Sequence, residues 1–524
     1  MAMSEPAPEA VSAAAPARPV PVFHIVWHMM RGAVAGKVLG FLREICTAKF
    51  LGISILADAL RTATVAVLVP VMMLTNHVLP AVMIPTFRTW EESGRAPATL
   101  TSLLAVLFAA ASLIAATLFV YAEAWVSLLV PGFDAEARAH TIALVRVMLL
   151  ATPMFMVSTV ILCAEVALGC CRIGPLQQVF ANTSIIVGLL IFAVTGEPLV
   201  IAWSFAVAFV LLAVFGLRHL HGLGMIDRRG LSFGAGLRAI GDLGRRGGLL
   251  FLTPMILGLL MVIERVVASE LGAGAVAAVE YARAISMTSV VLLGVPVGMA
   301  VLSQDYRDDA AKARTHFRRL APFSLAFGVP GAVVLYVLAP DIVAVLLERG
   351  VFQAEATAVT ALILAGFAFG FWADLLHELL VKMLNAQGRN NTAMLAMGVG
   401  IAAQVLFLVL AVPTLGLVGL GLAAALRPTV TVVVSALLLG FTRELFGFVV
   451  RFAPLGVVAG GLATAADPLA QSWLKLIVVG AVLTPITVGY TLAVSGEARS
   501  LARRMLAAAR ARLSRRGEHA LGDH

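Results

Sequence analysis

The run LLAVLFAAASLIAATLFVYA, residues 103–122, decides the class of fold. None of its twenty residues is charged. At a rise of about 1.5 Å per residue, a helix of that length crosses the roughly 30 Å hydrocarbon core of a bilayer. A membrane barrel strand would instead show about ten residues of strict alternation, and the run has none. Working outward, comparable stretches begin near Val22, Ile53, Thr141, Leu176, Leu199, Gly247, Ala275, Leu320, Ala356, Thr392, Leu415, Val449 and Leu474. The reading is an all-α polytopic membrane protein of about fourteen transmembrane helices. Composition agrees: of 524 residues, 60% are hydrophobic and 13% charged, against roughly 25% charged in soluble domains.

The polar segments set a topology. Basic residues collect in alternate loops, at Arg88 and Arg95, Arg172, Arg218 to Arg246, Arg307 to Arg319, and Arg389, and in the tail from Arg499 to Arg516. The opposite loops, near Gly132, Gly196, Gly272, Thr414 and Asp467, are short and nearly free of positive charge. The positive-inside rule therefore puts both termini in the cytoplasm. The net charge of +9 is thus assigned to membrane topology, and no nucleic-acid partner is expected. The Ala- and Pro-rich segment 1–21 reads as a disordered cytoplasmic tail, and SLARRMLAAARARLSRRG, residues 500–517, as a basic amphipathic helix for anionic lipid.

An internal repeat divides the chain. Leu128, Phe133, Ala135, Glu136, Ala137 and Thr141 recur as Leu347, Phe352, Ala354, Glu355, Ala356 and Thr360, a constant offset of 219 that also carries Ala167 and Gly169 onto Ala386 and Gly388. Two parallel copies of even span number share one orientation, as in transporters that enclose a site between two bundles. The expected units are a tail (1–21), an N-terminal six-helix lobe (22–218), a basic linker (219–246), a C-terminal six-helix lobe (247–442), two additional helices (443–495) and a basic tail (496–524).

Charges within the spans mark candidate function, because each costs about 2.5–3.5 kcal/mol at a helix centre. The first helix carries Lys37, Arg43 and Glu44; the second Asp58 and Arg61; the seventh Glu264 and Arg265; the eighth Glu280 and Arg283. Lys37, Arg43, Asp58, Arg61, Arg283 and Lys382 are the candidate binding set for a phosphate-bearing substrate. On the tenth helix, Asp374, Glu378 and Lys382 recur every four residues with His377 alongside. With Glu44 these form a candidate coupling group, and an ion-pair ladder is the equally open alternative. Gly32, Gly36 and Gly40 make a close-packing face. Cys46, Cys163, Cys170 and Cys171 lack metal-ligand spacing and read as small apolar residues. No Walker loop, HExxH or GxSxG appears, so no enzyme activity, metal or cofactor is expected.

Several segments together resemble the MurJ/MviN lipid II flippases. Lys37-Val-Leu-Gly-Phe-Leu-Arg43-Glu44 is similar to the family's S-R-x-L-G-x-x-R-[DE] signature, Asp58-Ala59 to its Asp-Ala pair, and Pro131-Gly-Phe133 to its P-G-F loop. Glu264-Arg265 through Ala268-Ser269, then Leu271-Gly-Ala-Gly274 and Tyr281-Ala282, is similar to D-R-x-x-A-S-x-L-G-x-G…Y-A. Glu348-Arg-Gly-Val-Phe352 with Ala354, Glu355 and Thr357 is similar to E-R-G-x-F-x-A-E-x-T. The resemblance, from about Arg31 to Leu439, implies the multidrug/oligosaccharidyl-lipid/polysaccharide exporter fold, with two lobes in a V and two further helices forming a groove for a polyprenyl tail. It also implies a cationic cavity for a lipid-linked glycan pyrophosphate, with Lys37 and Arg43 at two family arginines, Asp58 at a functional aspartate and Lys382 at a common basic position. Membrane lipids and cell-envelope synthesis proteins are the expected partners.

The chain departs from that pattern at Val71 and Asn76, which stand at an arginine and a glutamate position, at Glu378, which replaces a common lysine, and at Arg283, which falls one residue early. The expected function is lipid II flipping across the bacterial inner membrane. The alternatives are flipping of an undecaprenyl-linked exopolysaccharide or O-antigen unit, and a transport-inactive envelope scaffold.

Overall fold

The computed structural model describes residues 22–75, 78–170, 172–302, 310–496 and 499–500. Both expected tails, apart from residues 496 and 499–500, lie outside this set, as do Asn76 and Cys171. The described residues are helical, with no strand among them.

The first half runs α1 (Val22–Leu51), α2 (Ile55–Thr75), α3 (Val78–Glu92), α4 (Ala96–Val120), α5 (Ala122–Leu129), α6 (Ala135–Met148), α7 (Ala151–Ala167), α8 (Ile173–Thr195) and α9 (Leu199–Gly222). Local chemistry sets several boundaries. Pro97 opens the first turn of α4, where a missing N–H costs nothing. Asp134 caps α6, its carboxylate accepting from the Ala137 N–H at 2.8 Å. Pro153 lacks the N–H that would continue the ladder, so α6 and α7 meet at a bend of 48°.

The expected basic linker contains a helix, α10 (Phe233–Gly247). Ser232 caps it, and it packs along α3 and α4. Polar contacts fasten the segment: the Asp227 N–H donates to Thr101 Oγ1 at 2.9 Å and the Ser232 N–H to Ser102 Oγ at 3.0 Å. Then follow α11 (Leu252–Ser269), α12 (Ala275–Leu302), α13 (Ala310–Val337), α14 (Ala339–Leu347), α15 (Ala354–Ala386), α16 (Asn390–Leu410), α17 (Val412–Leu439), α18 (Thr442–Ala465) and α19 (Ser472–Val494). The helix expected near Leu320 begins ten residues earlier, because the basic stretch from Lys312 to Arg319 is itself helical.

The offset of 219 holds in three dimensions. It carries the start of α6 onto the start of α15, and the short α5 onto α14 to within two residues. The repeated residues also share their burial: Ala137 and Ala356, Thr141 and Thr360, and Phe133 and Phe352 are buried, while Glu136 and Glu355 are exposed. Among the described residues, ten helices are long and apolar enough to cross a membrane, or eleven counting α6 with α7 as one span. The expected fourteen would add α1, α11 and α12, the helices that carry most of the intramembrane charges.

The chain is a multi-pass membrane protein. Its outward faces display Leu113, Val194, Phe446 and Val457 to the surroundings, an arrangement stable in lipid and costly in water. Inside, α15 is the hub of the second half, packing on α12, α13, α16 and α17, while α18 and α19 lie against α13 and α14. In the first half α1 lies on α8, with Gly36 and Gly40 at the crossing. A Cβ on Gly36 would come within 2.8 Å of Gln178 Cβ, and Asn182 Nδ2 donates to the Gly36 carbonyl at 2.9 Å. The two halves meet where α2 contacts α11 and α12 and where α1 contacts α12.

Candidate functional site

Four helices, α1 and α2 from the first half and α11 and α12 from the second, bring their charges together at that meeting point. Glu44 on α1 is buried and accepts from Arg43 Nε at 3.1 Å and from Arg61 Nη1 of α2 at 3.0 Å. A second guanidinium nitrogen of Arg61 reaches the other carboxylate oxygen, the fork geometry that makes arginine a strong oxyanion partner. The Arg61 guanidinium also stacks on Tyr281, 5.0 Å from the ring centroid.

On the second-half side of the interface Arg265 Nη2 donates to Glu280 Oε1 at 3.1 Å. Arg283 pairs with Glu264, lies 3.8 Å from Glu280, and stands over the Phe367 ring of α15 at 5.7 Å. A cavity of about 160 Å³ opens among Met261, Glu264, Arg265, Glu280 and Arg283.

The expected cationic cavity is therefore charge-compensated. Four arginines face three glutamates, since an isolated charge in low dielectric would be prohibitive. The partners also differ from the sequence pattern. Glu264 and Arg265 are adjacent but point about 100° apart around α11, so each bonds a residue of α12.

One end of this cluster is sealed. Asp58, at the start of α2, accepts from the backbone N–H groups of Gly274 at 2.6 Å and Ala277 at 2.7 Å. It thereby caps α12 from a different helix. Gly274 has φ +85°, and a Cβ there would strike the Ile53 carbonyl. Tyr281 Oη donates to the Gly52 carbonyl at 2.9 Å, the Val351 N–H to Lys49 O at 3.1 Å, and the Gly132 N–H to Ser269 Oγ at 3.2 Å. The Asp-Ala, P-G-F, L-G-x-G and E-R-G-x-F segments, far apart in sequence, thus converge on one seal.

The remaining candidates lie elsewhere. Lys37 is exposed, two turns along α1 from Glu44 on the same face, with no charged partner among the described residues. On α15, Lys382 Nζ pairs with Glu378 at 3.3 Å, while His377 lies within electrostatic range of Arg427, Glu378 and Lys382. Asp374 is buried within electrostatic range of Arg427 of α17 and Arg283, and α15 meets the central cluster where the Phe367 ring lies under Arg283. Sequence reading passed over Arg427, although a lone arginine inside the apolar run of α17 was the available signal. It also passed over Glu165, a buried carboxylate on α7 that accepts from the Arg172 and Ile173 N–H groups at 2.8 and 2.7 Å and meets His219 Nδ1 at 2.6 Å. Cys163 is packed in the apolar core, as expected.

Comparison with known proteins gives the arrangement a lineage. A relative from Rhizobium tropici described as a probable lipid II flippase MurJ is 28% identical over 420 residues, covering 75% of this chain and 76% of the relative. Another, from Rhizobium meliloti (strain 1021) and described in the same words, is 29% identical over 211 residues, 38% of this chain and 39% of the relative. Among solved structures, a lipid II flippase MurJ in an inward closed conformation superposes with a TM-score of 0.78 at 15% identity, covering 89% of this chain and 99% of that one. An inward-facing multidrug resistance MATE family transporter of the MOP superfamily gives 0.56 at 14% identity, covering 79% and 95%. Both share the fold. The family model for lipid II flippase MurJ matches residues 47–460, a span that includes Asp58, Arg61, Arg265, Arg283 and the α15 stripe, and on that match the chain belongs to the MurJ lipid II flippase family.

Proposed function

We propose that this chain moves lipid II from the cytoplasmic to the periplasmic face of the bacterial inner membrane by alternating access. The observation that carries the reading is the arginine cluster held between the two halves by three carboxylates. Glu44, Glu264 and Glu280 occupy positions that pyrophosphate oxygens can take, since both groups offer paired oxygens to a guanidinium fork. A substrate that displaces them exchanges one set of charge-assisted hydrogen bonds for another. The guanidinium groups are thus kept solvated by protein until the head group arrives.

The lobes expected at 22–218 and 247–442 are the moving bodies, and the sealed end carrying Asp58 is the periplasmic gate. That orientation follows the basic loops, with both termini cytoplasmic. Lys37 lies on the approach to the cluster, and the α15 stripe of Asp374, His377, Glu378 and Lys382 couples substrate binding to protons or membrane potential through Arg283. The polyprenyl tail stays in lipid, and cell-envelope synthesis proteins are the partners that would supply and consume the cargo.

The test is depletion of the protein, followed by mass spectrometry of polyprenyl-linked intermediates and an assay of which membrane face they occupy. Accumulation of lipid II on the cytoplasmic face is the expected result. Accumulation of a different lipid-linked glycan, or no change in a strain without a second transporter, would overturn it.

A further inference from the structure

A second cationic cavity lies outside the central cluster, at the end of the bundle where α13 and α18 begin and α19 finishes. It encloses about 370 Å³. Arg318 of α13 and Arg451 of α18 stand at its mouth, and Pro322, Phe448, Phe452 and Val494 line its walls. Arg314 and Arg318 share the single carboxylate of Glu444, at 3.3 and 3.1 Å. Arg451 has no side-chain partner among the described residues, although its backbone carbonyl is fixed by Tyr490 Oη at 2.7 Å. Three guanidinium groups and one carboxylate leave an excess of two positive charges around an aromatic floor.

A second, apolar cavity lies further along the same helix. Arg318 and Pro322 belong to a row of α13 residues spaced by four, and the next members, Ala326, Pro330 and Val334, line this cavity of about 210 Å³ between α13 and α19. A cationic mouth followed along one helix seam by an apolar cleft has the shape and polarity of an anionic amphiphile. The mouth also lies at the end of the basic loops, where anionic head groups reside.

We propose that this seam holds a glycerophospholipid of net negative charge, its phosphodiester between Arg318 and Arg451 and an acyl chain along the α13–α19 cleft. The mouth is separate from the arginines of α1, α2, α11 and α12, so the head group it holds is not the one proposed to sit between the two halves. The lipid ties the two C-terminal helices to the second half of the transporter.

The test uses the full chain reconstituted in phosphatidylcholine vesicles doped with spin-labelled phosphatidylglycerol or spin-labelled phosphatidylcholine, reading the immobilised fraction of each. The native protein should prefer phosphatidylglycerol. R318Q/R451Q should lose about fivefold of that preference per arginine, and R318K/R451K should keep most of it. R451Q alone leaves the Glu444 pairs intact, so it carries the test if the double variant fails to insert. R228Q, a change at an exposed arginine of the same surface, should have no effect. Equal loss in R228Q, unchanged preference in R451Q, or displacement of the lipid by inorganic phosphate at matched ionic strength would each overturn the proposal, the last by showing a site for the free anion.

Discussion

The two copies of the repeat agree where they pack and disagree where they carry charge. Phe133 and Phe352, Ala137 and Ala356, and Thr141 and Thr360 are buried at equivalent places. The same offset of 219 sets Asp58 against Ala277 and Arg61 against Glu280. On α2 the first copy offers a carboxylate and a guanidinium; on α12 the second offers a backbone N–H and a carboxylate. The difference makes the copies complementary: Asp58 bonds its own counterpart, Ala277, and Arg61, whose carboxylate partner Glu44 lies in its own half, stacks across the interface on Tyr281. The packing is common property of both halves, and the chemistry comes from where they diverged.

The sharpest way to break that comparison is to remove Arg61. Loss of one partner from a buried ion pair costs about 3–5 kcal/mol, so Arg61→Ala should sharply lower folded yield and unfolding temperature and abolish transport. Glu44→Ala/Arg61→Ala should recover stability without transport, and a double variant as unstable as the single one would contradict the pairing. Next is Asp58→Ala, which strands two N–H groups at the start of α12 and should cost about 2 kcal/mol. Asp58→Asn keeps one acceptor and should cost less; thermal unfolding in detergent reads both.

A smaller effect on stability, under about 0.5 kcal/mol, is expected for Lys382→Ala, which breaks a partly exposed pair one turn apart. Transport by this variant should nevertheless fall several-fold, and a native rate would reduce the α15 stripe to an ion-pair ladder. The finest probe compares the two repeated threonines. Thr141 Oγ1 donates to the Ala137 carbonyl at 2.7 Å, whereas Thr360 Oγ1 is buried without a hydrogen-bond partner among the described residues. Thr360→Val should therefore be neutral or stabilising by up to about 1 kcal/mol, and Thr141→Val mildly destabilising; paired melting curves decide.

Much of this architecture was legible in the residues. Apolar runs located the long helices because length and hydropathy alone set a span, and repeated loop residues located the two copies. Short helices such as α5, α10 and α14 were not visible, since none is long enough to announce itself by hydropathy. Charged residues were visible as a set, but their pairing was not. Glu264 stands beside Arg265 in sequence and bonds Arg283 in space, because the crossing of α11 and α12 chooses partners that spacing along one helix cannot. Arg427 and Glu165 were missed for a related reason: each is a single charge whose meaning depends on a neighbouring helix.

The contact made by Asp58 has one more consequence. It recognises α12 through peptide N–H groups alone, so it is blind to which amino acids occupy that turn. Substitutions there can accumulate without cost to the fastening as long as the peptide groups stay in place and Gly274 keeps its left-handed turn. Only proline, which has no N–H to give, would erase the contact outright. A fastening written in backbone can outlast the drift of the side chains around it.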